Sequence, residues 1–169
     1  PASFEPRALR VSSGGAAVEA RDVLVGEVWL ASGQSNMQMG LSRALRAAAE
    51  IAAARHPGLR LFQVPQTVSE TPRDDVAAAW AVCAPETAGR FSAVAYCFGR
   101  DLLQALDTPV GMIHASVGGS PAEVWMSRAA LEAVRDHTPM FRNWEGILAN
   151  WPYPELYPNP RGNVYAYDQ

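Results

Sequence analysis

The stretch from Asp22 to Gly40, DVLVGEVWLASGQSNMQMG, limits the possible folds more than any other part of this chain. Its apolar run from Val23 to Leu30 is short and rich in β-branched residues, which favours a buried strand. A polar cluster follows at residues 32–36, and the alanine-rich residues 41–55 then predict a helix. Ser35 therefore lies in a turn between a strand and a helix, at the carboxyl end of the strand, where α/β folds hold their functional groups.

The chemistry of Ser35 suits that place. A serine at a tight strand-to-helix turn exposes its hydroxyl group, and nearby backbone N–H groups point at an anion that forms there. Gly33 lets the backbone turn sharply, but Met37 stands where the nucleophile elbow has its second glycine. The residues alone leave two interpretations open, a nucleophile or a serine-rich turn that caps the next helix.

Three blocks of the sequence resemble the sialate O-acetylesterase family, which belongs to the SGNH (GDSL-like) hydrolases and is similar to carbohydrate acetylxylan esterases. The first block is VGEVWLASGQSNM around Ser35, and the second is GMIHASVGGSPAEVWMS at residues 111–127. FSAVAYCFGRDL, at residues 91–102, resembles the helix between them. The blocks occur in the family's order, and the resemblance covers the chain from about Asp22 to Ser127.

The resemblance implies a serine esterase in which Ser35 is the nucleophile. Its own N–H and that of Gly118 or Gly119 would bind the oxyanion, since a glycine leaves its N–H open to a substrate oxygen. The alternative for the two glycines is a plain turn. The family's catalytic histidine and aspartate, and the Gln- or Asn-bearing block of a third oxyanion donor, lie downstream, and this sequence shows neither block.

The three histidines of the chain have different predicted roles. His56 precedes a proline at a helix end and is expected to be exposed, and His137 is expected on the surface as well. His114 lies in the strand before the double glycine. It is expected to be either a hydrogen-bonded core histidine or a residue that supports the pocket.

Four further residues are candidates for the pocket or its surroundings. Gln34 and Asn36 flank Ser35 and either order the turn through their side chains or touch a sugar hydroxyl. Glu123 could line the pocket, and Trp125 is expected to be a core anchor.

The order strand, helix, strand predicts a parallel sheet. We expect a three-layer α/β/α, flavodoxin-like SGNH hydrolase fold with a short parallel sheet, present only in part. Residues 1–21 are interpreted as a hairpin remnant of a preceding β-rich portion, residues 22–151 as a partial hydrolase domain, and residues 152–169 as an irregular Pro- and Tyr-rich tail. The other elements expected are strands at 59–64 and 110–115, a loop at 65–75, an extended piece at 77–83, a turn at 84–90, and helices at 91–106, 126–135 and 141–151.

Composition excludes several classes of protein. The 169 residues are 49% hydrophobic and carry a net charge of -3, which supports a real core and gives no case for nucleic-acid binding. No apolar run is long enough to span a bilayer. Cys83 and Cys97 lack zinc-ligand spacing, a disulfide between them is not indicated, and no metal or organic cofactor is implied.

The chain begins without methionine and shows no secretory signal, so we expect a fragment or a processed product. An extracellular or periplasmic location is implied by the family alone. The expected activity is removal of acetyl groups from O-acetylated carbohydrate, with sialic acid as the first candidate. The alternatives are an acetylxylan-type esterase and a catalytically inert fragment or carbohydrate-contacting module.

Overall fold

The computed structural model describes residues 1–67 and 73–133, and it begins with a hairpin closed by two glycines. Strand β1 (Ser3–Ser13) pairs antiparallel with β2 (Ala16–Val25). Gly14 and Gly15 join them with φ values of 55° and 85°. Tight hairpin turns need such positive φ values, and glycine adopts them without steric cost. The hairpin expected at the start of the chain is present, and its second strand runs beyond residue 21.

The apolar run after Asp22 is divided at Gly26 into two strands, so the prediction of one buried strand there is wrong. β2 ends at Val25, and β3 (Glu27–Gly33) belongs to a different sheet. A Cβ atom at Gly26 would collide with the backbone oxygen of Pro109, which accepts a hydrogen bond from the N–H of Glu27 at 2.9 Å. β3 is an edge strand, and most of its side chains are exposed.

The main sheet has four strands in the order β3-β6-β4-β5. Its other members are β4 (His56–Gln63), β5 (Trp80–Cys83) and β6 (Val110–Ser116). β6 pairs parallel with β3 on one side and with β4 on the other, while β5 is antiparallel to β4. The α/β class with a short parallel sheet is confirmed, and β4 begins three residues earlier than expected.

The long helix α4 (Ala93–Leu106) covers one face of this sheet. Ser92 caps it, since its hydroxyl accepts a hydrogen bond from the N–H of Ala95 at 3.1 Å. A Cβ atom at Gly99 would lie 2.6 Å from Met112 Cγ of β6, so helix and sheet approach closely at that glycine. The core of the molecule lies at this contact, where Tyr96 and Met112 are fully buried.

The opposite face of the sheet carries mainly apolar side chains together with Arg60 of β4, and several of the apolar ones are exposed. Side chains alternate along a strand, so the neighbours of Met112 point away from α4. A Cβ atom at Gly111 would meet the ring of Trp80 at 3.0 Å and Val28 Cγ2 at 3.5 Å. Trp80 is 47% exposed, and Leu30, two residues beyond Val28 on the same face, is 66% exposed. Among the described residues, the second helical layer of a three-layer fold is not represented.

The single helix expected at residues 41–55 is wrong. The structure has a four-residue helix α1 (Ser35–Gln38), a 3₁₀ turn (Leu41–Arg43) and a separate helix α2 (Ala47–Ala53). The N–H groups of Leu41 and Ser42 donate to the carbonyls of Phe91 and Gly89 at 2.9 and 3.0 Å, instead of to a preceding helical turn. These tertiary bonds override the helix propensity of the alanines.

The remaining elements are short. Helix α3 (Pro85–Ala88) replaces part of the expected turn at 84–90, and a 3₁₀ turn (Ala122–Trp125) and α5 (Arg128–Glu132) come last. The predicted helix at 126–135 is thus shorter within the described residues. The predicted helix at 141–151 and the tail at 152–169 lie outside them.

The chain divides into two units. The first contains residues 1–65 and 77–118, with both sheets and α1 to α4, and the second contains residues 66–76 and 119–169. The domain boundaries expected at residues 21 and 151 stay predictions. In the part that the structure describes, no helix has the length and apolar character needed to cross a bilayer.

Candidate active site

Two turns lie side by side at the carboxyl end of the sheet, because the strands before them are paired. β3 and β6 run parallel, with Gly33 opposite Ser116 in the register. The N–H of Val117 then donates to the carbonyl of Gly33 at 2.9 Å, which extends the ladder by one bond. The residues that follow these two strands are therefore brought together, as expected for parallel neighbours.

Ser35 is the first residue of α1, and its side chain is exposed. Gly33 has φ of 134°, a backbone conformation that favours glycine and turns the chain out of the strand. Gln34 caps α1 from within the turn. Its Oε1 accepts hydrogen bonds from the Ser35 N–H at 2.8 Å and from the Ser35 hydroxyl at 2.7 Å. Of the two interpretations of Gln34, the one in which it orders the turn agrees with these bonds.

Gly118 lies directly against Ser35. A Cβ atom at position 118 would be 3.3 Å from Ser35 Oγ and 2.5 Å from Gln38 Oε1, so only glycine fits without displacing a neighbour. The N–H of Gly118 donates to Gln38 Oε1 at 2.6 Å. The structure thus brings together a serine hydroxyl and the N–H groups of residues 35 and 118.

The other candidate residues of the stretch 111–127 come after Gly118, and they belong to the unit that contains residues 66–76 and 119–169. Gly119 has φ of 80°, which again favours glycine. Glu123 is exposed in the last 3₁₀ turn. Trp125 is 38% exposed and its indole N–H donates to the buried Ser120 at 3.0 Å, so the prediction of Trp125 as a core anchor is wrong.

His114 is a buried, fully partnered histidine. Its side chain is 3% exposed, and Nδ1 and Nε2 form hydrogen bonds with Gln63 Oε1 at 2.7 Å and Ser116 Oγ at 2.5 Å. Its ring meets Phe91 edge-on, with the centroids 5.4 Å apart. Burial lowers the pKa of His114, against a smaller opposing effect of a hydrogen bond with the Met37 backbone, so the neutral ring is favoured.

His56 is half-buried, so the prediction that it is exposed is wrong. As the first residue of β4 it lies 3.4 Å, through Nε2, from the Tyr96 hydroxyl. Burial lowers its pKa, and the positive charge of Arg100 lowers it further. His137 lies outside the described residues.

Sequence reasoning missed one residue of this site, Gln38. It lies three positions after Ser35, a spacing that places two side chains on the same side of a helical turn. That spacing was the available signal, but it is too common to single out a residue. Asn36, which sequence reasoning did select, is exposed.

The described residues also include cysteine thiols and side chains of the kinds that bind metal ions. Within residues 1–67 and 73–133, no three histidine, cysteine or acidic side chains are grouped so that they could hold a metal ion. Cys83 and Cys97 are both free. Burial raises the pKa of Cys83 to about 11, which keeps it as an unreactive thiol at neutral pH.

The arrangement suits attack on a carbonyl carbon. An exposed hydroxyl lies near two backbone N–H groups, and donors of this type can stabilise a developing oxyanion. In the part of the chain that the structure describes, the hydrogen-bond acceptor of the Ser35 hydroxyl is Gln34, and both ring nitrogens of His114 bond elsewhere. A base for the serine proton is therefore not identified among these residues.

The sequence of this chain is similar to the sequences of known acetylesterases. None of the protein-family models compared with the sequence matches it. The sialate O-acetylesterase of Rattus norvegicus is 40% identical over 121 residues, which cover 66% of this chain and 22% of the rat protein. The sialate O-acetylesterase of Homo sapiens is 38% identical over 121 residues, with 66% of this chain and 23% of the human protein covered. The chain thus spans about a fifth of the length of these relatives.

The fold is also similar to that of a solved acetylesterase structure. The crystal structure of a carbohydrate acetylesterase from Xanthomonas citri matches with a TM-score of 0.73 and 39% identity. The match covers 78% of this chain and 30% of that chain.

Proposed function

Because this chain belongs to the sialate O-acetylesterase family, we propose that it forms part of an enzyme that removes acetyl groups from O-acetylated carbohydrate, with Ser35 as the nucleophile. Relatives named sialate O-acetylesterases support sialic acid as the first candidate substrate. The chain covers only 22% of the rat relative, so the activity proposed is that of the whole enzyme.

The reaction would proceed through an acetyl-enzyme. The Ser35 oxygen attacks the acetyl carbonyl carbon, and the serine proton passes to a base. The carbonyl oxygen becomes an oxyanion held by the N–H groups of Ser35 and Gly118. The bond to the sugar oxygen then breaks, and that oxygen leaves with a proton. Water attacks the acetyl-serine, which releases acetate and restores the hydroxyl group.

One observation carries this proposal, the approach of Gly118 to the Ser35 hydroxyl. A Cβ atom at position 118 would lie 3.3 Å from Ser35 Oγ, so the backbone that follows a second strand is held beside the nucleophile. A serine that only caps a helix would not need this neighbour. Removing one oxyanion donor typically costs about 3 to 4 kcal/mol of transition-state stabilisation, which shows how much such a placement can contribute.

The test is hydrolysis of p-nitrophenyl acetate by the chain and by its Ser35→Ala variant. We expect kcat to fall by about 10⁶-fold in the variant, as it does when the nucleophile of a serine hydrolase is removed and only the oxyanion donors and binding remain. The matched control is Ser42→Ala, since Ser42 is an exposed serine of the nearby 3₁₀ turn. Hydrolysis that persists unchanged in Ser35→Ala would contradict the role of Ser35, whereas no hydrolysis by either form would favour the second candidate function.

A second candidate function is a carbohydrate-contacting module without activity of its own. The observation in its favour is that the Ser35 hydroxyl donates to an amide oxygen of Gln34, which cannot take up its proton at neutral pH. Retained affinity for O-acetylated sialic acid, together with no hydrolysis by this chain, would favour the module. Preference for acetylated xylan in the same assays would favour the acetylxylan-type alternative.

A further inference from the structure

Both N–H groups proposed to bind the oxyanion are occupied by side-chain oxygens of the protein itself. The Ser35 N–H donates to Gln34 Oε1 at 2.8 Å, and the Gly118 N–H donates to Gln38 Oε1 at 2.6 Å. An N–H group can only donate, so each glutamine must present its carbonyl oxygen, and not its NH₂ group, to the site. An amide C=O is chemically close to an ester C=O, which would bond to the same donors.

The position of Gln38 Oε1 agrees with that of a substrate oxygen. A Cβ atom added to Gly118 would lie 2.5 Å from Gln38 Oε1 and 3.3 Å from Ser35 Oγ. The glutamine oxygen and the attacking oxygen therefore face the same side of Gly118. An acetyl group whose carbon is attacked by Ser35 Oγ must place its carbonyl oxygen at the Gly118 N–H, where Gln38 Oε1 now lies.

Both side chains are able to leave. Gln34 is exposed and Gln38 is half-buried, and long unbranched side chains of this kind change rotamer rapidly at a surface. Replacing one N–H···O=C bond by another changes the net free energy little, so an ester can exchange with the glutamine without a large barrier from lost bonds. The N–H groups meanwhile keep their directions, which is the preorganisation that catalysis needs.

We propose that Gln34 and Gln38 are internal ligands of the oxyanion site, whose amide oxygens hold the N–H groups of Ser35 and Gly118 until an ester carbonyl displaces them. They are positioning residues that compete with substrate. The proposal rests on the proposed function, which identifies the displacing group as an ester carbonyl. It adds a competition between the glutamine side chains and the substrate that the reaction itself does not require.

The competition predicts opposite effects for two substitutions at one position. Gln38→Ala removes the internal ligand, so an added anion should bind the Gly118 N–H more tightly. Gln38→Glu keeps an acceptor in place and makes it a carboxylate, which bonds to an N–H more strongly than an amide does and repels an anion. If Gln38 only supported the local structure, alanine would weaken binding and glutamate would preserve it.

The experiment is a titration of the ¹⁵N-labelled full chain with sodium acetate at pH 7, followed at the amide resonances of Ser35 and Gly118. We expect the acetate Kd to fall about three- to ten-fold in Gln38→Ala, which corresponds to the net worth of one hydrogen bond. In Gln38→Glu the Kd should rise. The matched control is Gln104→Ala, an exposed glutamine on α4 whose loss should leave the Kd unchanged.

The proposal is overturned if Gln38→Ala binds acetate no more tightly than wild type, if Gln104→Ala gains as much, or if acetate moves neither resonance. If Gln38→Ala fails to fold, Gln34→Ala gives the same test at the Ser35 resonance. The proposed function is judged separately by Ser35-dependent hydrolysis. A titration with the expected order but no hydrolysis supports the internal ligands alone, and hydrolysis with no effect of either glutamine supports the esterase alone.

Discussion

At the scale of single residues, Gly118 is the position where the smallest change should have the largest effect on the site. Gly118→Ala would place a methyl group 2.5 Å from Gln38 Oε1 and 3.3 Å from Ser35 Oγ. We expect ester hydrolysis to fall by about 10²-fold, the typical cost of moving reacting groups by about 1 Å. Steady-state rates with p-nitrophenyl acetate measure this loss.

The control for that substitution is Gly89→Ala. A Cβ atom at Gly89 would meet Ile51 Cδ1 at 3.5 Å, an ordinary contact, so this variant should keep the wild-type rate. A Gly118→Ala variant as active as Gly89→Ala would show that the space beside Ser35 is not needed.

His114 makes the stability of the chain depend on pH. Its pKa is lowered from the ordinary value of 6.5, so the unfolded chain takes up a proton at higher pH than the folded chain does. The contribution of this histidine is complete above about pH 6.5 and is lost as the pH falls through its folded pKa. Acidification from pH 7.5 to 5.5 should therefore lower the free energy of unfolding.

Urea unfolding at the two pH values tests this dependence in the wild type, His114→Gln and His56→Gln. The pKa of His56 is also lowered, so each substitution should remove part of the difference between pH 7.5 and 5.5. An unchanged difference in His114→Gln would mean that its buried ring does not resist protonation.

The sequence predicted part of this site and not the rest, for physical reasons. Ser35 and Gly118 follow strands, and parallel strands bring their carboxyl ends together, so their meeting could be predicted. The bonds of Gln34 and Gln38 depend on side-chain rotamers within a tight turn. The distance from Ser35 to any base depends on tertiary structure that spacing along the chain does not encode.

At the scale of elements, the contact of α4 with the sheet depends on Gly99. A Cβ atom there would lie 2.6 Å from Met112 Cγ and 2.9 Å from Leu59 Cδ1. Alanine has the better helix propensity by about 1 kcal/mol, but overpacking of a close contact typically costs about 1 to 3 kcal/mol. We expect Gly99→Ala to destabilise the chain in urea unfolding. Gln104→Ala, on the exposed side of the same helix, should change stability by less than about 0.5 kcal/mol.

Elements were predicted well where the local and tertiary preferences agreed. The helix that begins at Ala93 shows helical spacing of apolar residues and also packs on the sheet, so it was found almost in full. Residues 41–55 have helix propensity, but Arg46 adopts φ of 60° and the preceding turn bonds to residues 89–91, so the helix is broken. Propensity could not reveal a hydrogen bond to a segment so far along the chain.

At the scale of the whole molecule, the open face of the sheet should make the chain self-associate. Val28 and Leu30 of the edge strand β3 are 62% and 66% exposed on that face, and Trp80 and Val82 of the opposite edge strand β5 are 47% and 39% exposed. Arg60 lies on the same face between these strands and is paired with Asp22, and the exposed apolar side chains around it promote association. Leu30→Lys should shift the chain towards monomer in sedimentation velocity, with a change in stability below about 0.5 kcal/mol.

The matched comparison is Leu61→Ala on the covered face. Leu61 is 3% exposed, so its truncation should cost about 2 to 5 kcal/mol of stability without favouring the monomer. Equal self-association of Leu30→Lys and wild type would show that this apolar face is not the surface that associates.

The central position of β6 also has a consequence for the order of events during folding. Gln38 and Gly118 are 80 residues apart in the chain, and they meet only after β6 has inserted between β3 and β4. Contacts of such long range form late, because the entropy of closing the loop must first be overcome. Ser35 precedes β6 in the chain, yet its neighbour Gly118 is positioned only when β6 pairs with β3. A partly folded chain in which β6 has not yet paired with β3 therefore carries a chemically ordinary serine, and reactivity at Ser35 would report that these two strands have joined.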